Sequence, residues 1–154
     1  MFRISKLTDY GTLILVFLAD QGDQLASASE VSAGIHVAQP TVQKLLKLLA
    51  RSGFVDSVRG TEGGYKLARD PDQINAAEIL DALEGPVAIT ECSTDAGDCA
   101  LESMCQTGGA WQKINNSIRQ ALAEVTLTDL GHPKADFPAP DLTGDSNEPH
   151  TRTN

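Results

Sequence analysis

Apolar positions recur along this chain in several rhythms, and each change of rhythm marks an element. From Thr8 to Asp20, the residues Ile14, Leu15, Phe17 and Leu18 fall at helical spacing behind Leu7, with Thr8 as the expected N-cap and Gly22 as the stop. Asp9 then takes the first helical position, where the helix dipole favours a carboxylate. Ser27-Ala28-Ser29-Glu30 has the Ser-x-x-Glu form of a capping box and opens a short second helix expected to stop at Gly34. Pro40, suited to the first position of a helix, opens a third that runs to about Arg51, with Gly53 as its terminator. Val42, Leu45, Leu46 and Leu49 form the buried stripe of that helix. Gln39, Gln43, Lys47 and Ala50 fall on another face, flanked by Lys44 and Arg51.

The period then shortens to two. Phe54 to Arg59 alternates as a strand, Gly60-Thr61-Glu62-Gly63-Gly64 is a turn cluster, and Tyr65 to Ala68 is a second strand. Two helices joined by a turn, the second with a Gln/Lys/Arg face, resemble a helix-turn-helix, although an ordinary amphipathic helix pair carries the same pattern. The hairpin directly behind the pair decides for the former, because it is placed as a wing. Arg59 stands where the hairpin turns, beside glycines, and an arginine there suits the strongly negative minor groove of DNA.

After the break at Asp70-Pro71, Asn75 caps a helix over Ala76–Glu84 that Gly85-Pro86 ends. Further on, Trp111, Ile114, Ile118, Leu122 and Val125 recur at steps of 3, 4, 4 and 3. A long helix with so narrow a stripe pairs with a second copy of itself or packs on its own domain. From Gly131 onward, four prolines and the loss of any period read as a disordered tail. The expected fold class is mainly α with a small β-hairpin. Its parts are a winged helix-turn-helix DNA-binding domain (1–86), a cysteine segment (87–106), a long C-terminal dimerisation helix (107–130) and a tail (131–154).

Composition changes this picture in two respects. Aromatic residues are only 5%, so aliphatic side chains must pack the core, as helices allow. The net charge of −9 appears hostile to nucleic acid, yet residues 1–70 carry 8 Lys/Arg against 7 Asp/Glu, and residues 71–154 carry 4 against 14. No acidic residue lies between Glu30 and Asp56, where Lys44, Lys47 and Arg51 fall. A local basic face can bind phosphate on an acidic protein because salt screens charges beyond about 8–10 Å. The apolar run Leu13–Ala19 is far shorter than the ~20 residues that span a bilayer, and its flanks lack a leader pattern. We therefore expect no membrane association and a cytoplasmic location.

All three cysteines lie together, as Cys92, Cys99 and Cys105 in C-x6-C-x5-C spacing. An odd count argues against a disulfide framework. Three thiols in an Asp/Gly/Ser-rich loop are a soft-metal ligand set. Zinc sites more commonly show short C-x2–4-C spacing than the longer gaps seen here. No nucleophile–base pair and no phosphate loop is present, so an enzyme is not expected.

The wing Ser57-Val58-Arg59-Gly60-Thr61-Glu62-Gly63-Gly64-Tyr65, the cysteine trio and the long helix, in that order, resemble the Rrf-two family of iron–sulfur regulators over about residues 1–130. The resemblance implies a homodimer that binds double-stranded operator DNA, with the seam Trp111, Ile114, Ile118, Leu122 and Val125 as the subunit contact. It implies Gln39, Thr41, Gln43 and Lys44 as base-reading residues and Arg59 in the minor groove. Lys47, Arg51 and Lys66 follow as phosphate contacts by charge and location. It implies an iron–sulfur cluster, of two or four irons, held by Cys92, Cys99 and Cys105. One branch of the family places a histidine three residues after the last cysteine, where this chain has Gly108. In the nitric-oxide-sensing branch an aspartate near the start of the first helix, from the partner subunit, is the fourth ligand, and Asp9 matches that position; His36 is a weaker candidate. The implied role is a redox-sensing transcriptional regulator, a repressor of iron–sulfur assembly genes of the SUF type. A nitric-oxide-responsive repressor of the same family is the alternative. An iron–sulfur carrier or electron-transfer protein is the alternative from another class, disfavoured because neither job needs a wing.

Overall fold

Ser5 opens the first helix, α1 (Lys6–Gln21), by accepting the Thr8 N–H on its hydroxyl at 3.2 Å. Thr8, the expected cap, therefore lies inside the first turn. Both residues have the chemistry of a cap, and the choice falls to Ser5 because the Thr8 hydroxyl is engaged elsewhere, on Glu84. Asp9 moves deeper into the same turn, where the dipole still favours it. The computed structural model describes residues 3–86, 88 and 107–132.

Helix α2 (Ala28–Ile35) has the expected capping box, with the Ser27 N–H donating to Glu30 at 2.7 Å. It ends one residue beyond Gly34, where His36 adopts the left-handed conformation (φ 56°) that closes many helices. Gly34 has another role: a Cβ there would stand 2.2 Å from the Phe17 ring, so its absence lets α2 lie close on α1. Helix α3 (Gln39–Arg51) begins one residue before Pro40 and buries Val42, Leu45, Leu46 and Leu49, as the spacing predicts. These four meet Ile14, Leu15, Leu18 and Val31 in one core, each fully buried aliphatic contributing about 1.5–3 kcal/mol of transfer free energy.

Strands β1 (Val55–Val58) and β2 (Gly64–Leu67) pair antiparallel, with Asp56 opposite Lys66 and Ser57 opposite Tyr65. Both are shorter than the alternation suggested. The hairpin is tied to the helices through Ala26, which exchanges two backbone hydrogen bonds with Tyr65 at 2.8 and 2.9 Å. A single 3-10 turn (Pro71–Gln73) leads into α4 (Ala76–Glu84), capped by Asn75 with Glu78 answering as a second capping box.

One helix was expected over 107–130, but α5 (Gly108–Ala123) ends early and a separate short helix, α6 (Leu127–Gly131), begins after Thr126. Val125 thus lies in the link rather than on the long helix. Three β-branched residues in Val125-Thr126-Leu127-Thr128 weaken helix continuation, and the Thr126 hydroxyl caps the new helix by accepting the Asp129 N–H. The tertiary reason is Leu127, 1% exposed within the core, whose N–H donates to Ile74 O at 2.8 Å. Gly131 and His132, expected in the tail, instead close α6 against α1, with His132 Nε2 3.0 Å from Asp20. The rest of the expected tail, from residue 133, lies outside the described residues. No helix among the described residues is long and apolar enough to cross a membrane.

Candidate nucleic-acid interface and cysteine-segment stem

Helix α3 turns its buried stripe inward, so Gln39, Gln43, Lys44, Lys47 and Arg51 are all exposed; Thr41 is half-buried. Among the described residues, Lys44, Lys47, Arg51 and Arg59 have no ion-pair partner, so their charges are uncommitted. No side chain caps the N-terminus of α3, which leaves its positive end free as well. A helix of ~10–12 Å diameter matches a DNA major groove about 12 Å wide. Beside α3 runs a groove of about 360 Å³, in which Leu7 from the first turn of α1 faces Leu48, Lys44 and Arg51.

The wing is held by its glycines. A Cβ on Gly63 would stand 2.3 Å from Val58 O, and Gly60 has φ 127°, which L side chains rarely adopt. Arg59 at this tight turn is exposed. Lys66 stands in a different setting. Its ammonium lies 3.8 Å from Asp23, and it shares a cleft of about 440 Å³ with Asp23, Asp56 and Asp70. The expectation for Lys66 rested on charge and location along the chain; neither shows that Asp23 lies within ion-pair reach of it.

Cys92, Cys99 and Cys105 lie outside the described residues, but the stem that leads to them is described. Helix α4 ends at Glu84, Gly85 takes φ 92°, and Pro86 and Ala88 lie against Arg3 and Ile4 around a cleft of about 140 Å³. A neighbouring cleft of about 380 Å³ shares Ile4 and Leu80 with it and is lined by Asp9, Leu122, Val125 and Leu130. Asp9 is exposed; its N–H donates to Ser5 O at 3.0 Å, and its carboxylate has no hydrogen-bond or ion-pair partner among the described residues. A carboxylate without a side-chain partner is chemically able to serve as a hard metal ligand. His36 is accounted for as the closing residue of α2.

Glu84 is the residue that sequence reasoning missed. Its carboxylate accepts the Ser5 N–H at 2.8 Å and the Thr8 hydroxyl at 2.5 Å, joining residues 79 and 76 positions apart. Those bonds, that from Thr8 foremost, hold its carboxyl below the usual range. Read alone it is the last residue of a helix, and nothing in its neighbours signals a partner so distant.

The apolar seam is divided. Trp111 and Ile114 are 41% and 44% exposed on α5, while Ile118 is half-buried and Leu122 and Val125 line their own chain's cleft. The inner side of α5 is anchored by Arg119, whose guanidinium makes two bonds to Asp81 on α4 at 3.0 and 2.7 Å.

Comparison with known proteins follows the same outline. Residues 4–133 match the Rrf2 family model, described as an iron-dependent transcriptional regulator. The chain is 32% identical over 130 residues to Protein aau3 of Rhizobium meliloti (strain 1021), covering 83% of this chain and 84% of that protein. Among solved structures it resembles CymR, the global cysteine regulator of B. subtilis, at 30% identity and a TM-score of 0.65, covering 85% of this chain and 97% of that one. It also resembles T. potens IscR at 28% identity and a TM-score of 0.64, covering 84% and 85%.

Proposed function

The chain belongs to the Rrf2 family of transcriptional regulators, and on that premise we propose that it is an iron–sulfur-dependent repressor that binds operator DNA as a homodimer in the cytoplasm. The observation that carries the DNA-binding half is the carboxylate-free face of α3, with Lys44, Lys47 and Arg51 unpaired among the described residues. In this reading Gln39, Thr41, Gln43 and Lys44 meet base edges, Arg59 enters the minor groove, and Lys47 and Arg51 hold phosphates. Lys66, facing Asp23, contributes least of the candidate set. Trp111 and Ile114 form the exposed part of the subunit contact, continued by Ile118 toward Leu122 and Val125.

The sensing half rests on the ligand set. CymR is named for cysteine regulation, so likeness to it argues for the fold and not for a cluster. Support comes from three cysteines in one short segment and from Asp9, whose carboxylate is exposed and has no partner among the described residues, so that it is open to a second subunit. Cys92, Cys99, Cys105 and Asp9 of the partner subunit would hold a cluster. Bound, such a cluster supplies a redox- and gas-sensitive centre, with the carboxylate corner as its labile side. The chain's own residues then set the response: Asp9 sits on α1, α1 packs on α3, and occupancy at Asp9 biases where the recognition helix lies. Iron–sulfur assembly genes of the SUF type are the proposed targets. The Asp9 ligand equally favours a second reading, a nitric-oxide-responsive repressor.

The test is anaerobic purification with visible spectroscopy and native mass measurement on wild type, Cys92→Ala and Asp9→Ala. A coloured wild type, a bleached Cys92→Ala and an Asp9→Ala protein with an altered spectrum are expected. Stoichiometric zinc without a visible chromophore would overturn the sensing half. A salt-dependent gel shift weakened by Arg59→Ala tests the other half and excludes a carrier.

A further inference from the structure

We infer that Glu84 is a positioning residue that transmits the state of the cysteine segment to the recognition helix, through a latch to Thr8 and Ser5. The inference rests on the proposed sensing role and adds the route by which it acts. Glu84 is the last residue of α4, eight positions before Cys92. Its Oε1 alone accepts both the Ser5 N–H and the Thr8 hydroxyl. Thr8 is 2% exposed, so its hydroxyl is taken from water and has little choice of partner. The Ser5 hydroxyl lies 3.1 Å from that of Thr8, which makes the three side chains one network.

What the latch holds is the first turn of α1, and two residues of that turn matter. Leu7, between Ser5 and Thr8, projects into the groove along α3 where Lys44, Leu48 and Arg51 lie. Asp9, the next residue after Thr8, lines the cleft that shares Ile4 and Leu80 with the cysteine stem. A displacement of the α4 end, where the cysteine segment begins, is therefore passed to Leu7 through two hydrogen bonds on a single oxygen. From Leu7 it reaches the groove on α3 directly. Gly85 has φ 92°, so the segment departs through a turn set by backbone geometry, and the latch sits on the helix side of that turn. The carboxylate charge is not required: an amide oxygen in the same place accepts the same two bonds.

That last point gives the test. The quantity to measure is the ratio of operator affinities of the cluster-loaded and cluster-stripped full-length protein, which for coupled sites is typically about 5- to 150-fold in one direction. Glu84→Ala and Thr8→Val should bring this ratio to within about twofold of one, leaving the visible spectrum of the loaded protein unchanged. Glu84→Gln and Thr8→Ser should keep the wild-type ratio. In the stripped protein, hydrogen exchange at the first-turn amides of α1 should quicken in Glu84→Ala and Thr8→Val and not in Glu84→Gln, which confirms the latch without any cluster. A wild-type ratio well away from one that survives Glu84→Ala overturns the latch and leaves the sensing role standing. A wild-type ratio of one overturns the sensing role, and the transmission with it. An altered spectrum in Glu84→Gln would make Glu84 a ligand and also overturn the inference.

Discussion

Lys47 offers the sharpest test of which face of α3 meets DNA. Its ammonium is exposed on the side opposite the buried stripe and has no ion-pair partner among the described residues. Each phosphate neutralised by a protein cation contributes about 0.9 to the slope of log affinity against log salt. In a symmetric dimer Lys47→Ala removes two such contacts, so the slope should shallow by about 1.8. Raising salt fourfold, from about 50 to 200 mM, should then cost the variant about twelvefold less affinity than it costs wild type. The comparison is Lys66→Ala, which removes the same formal charge. Its ammonium already lies 3.8 Å from Asp23, so its slope should change by less than about half as much. The assay is fluorescence anisotropy of a labelled operator duplex, selected from a random pool, at four or more salt concentrations. If Lys66→Ala shallows the slope as much as Lys47→Ala, the assignment of α3 by its unpaired charges is refuted.

Three further outcomes follow from other parts of the molecule. Leu127→Ala should destabilise the chain by about 2–5 kcal/mol in urea melts, because it opens a cavity in the core, whereas Leu130→Ala, partly exposed on the same short helix, should cost well under half as much. Trp111→Ala combined with Ile114→Ala should shift sedimentation toward the monomer without lowering the monomer's helicity; an unchanged dimer would place the contact elsewhere. Glu84 has its folded carboxyl lowered by Thr8 and Ser5, so its contribution is present above the ordinary value of 4.5 and lost as pH falls below it. The stability of wild type relative to Glu84→Gln should therefore decline in acid below about pH 4.5 and stay flat above it, as urea midpoints at several pH values would report.

The first four helices and the hairpin were legible because their signals are local. Ser27 with Glu30 and Asn75 with Glu78 are reciprocal caps within one turn, and the stripe Val42, Leu45, Leu46, Leu49 is buried as spaced. Legibility failed where two local candidates competed and a distant residue decided. Ser5 and Thr8 both qualify as caps, and Glu84 settles the matter from 76 positions away. The break before α6 has the same origin. Trp111 to Val125 is one unbroken helical period, but burying Leu127 against Ile74 outweighs continuing it. For the interface, sequence could find the cations but not their pairing, and pairing is what sets Lys66 apart from Lys47. The three cysteines lie outside the described residues, so their role stays a reading of the sequence, and Asp9 is seen as a carboxylate without a side-chain partner only from its surroundings.

The acidity of the chain then has a consequence for specificity. The cations Lys44, Lys47, Arg51 and Arg59 gather on one helix face and a wing tip, and the −10 of residues 71–154 belongs to the other half of the chain. At physiological salt the screening length is about 8 Å, so a phosphate touching Lys47 experiences that cation and little of any charge well beyond that distance. Non-specific DNA binding is almost wholly electrostatic, while specific binding adds base contacts of the kind Gln39 and Gln43 can make. A net charge of −9 therefore weakens the non-specific mode by a larger fraction than the specific one. At about 0.01 M salt the screening length grows to about 30 Å, and the net charge of the protein is felt at the DNA. The salt slope of this protein should accordingly flatten at the low end, where a basic regulator with the same contacts would continue to tighten. A regulator whose affinity is set by a small change at α3 gains from this arrangement, since the weak background leaves that change visible.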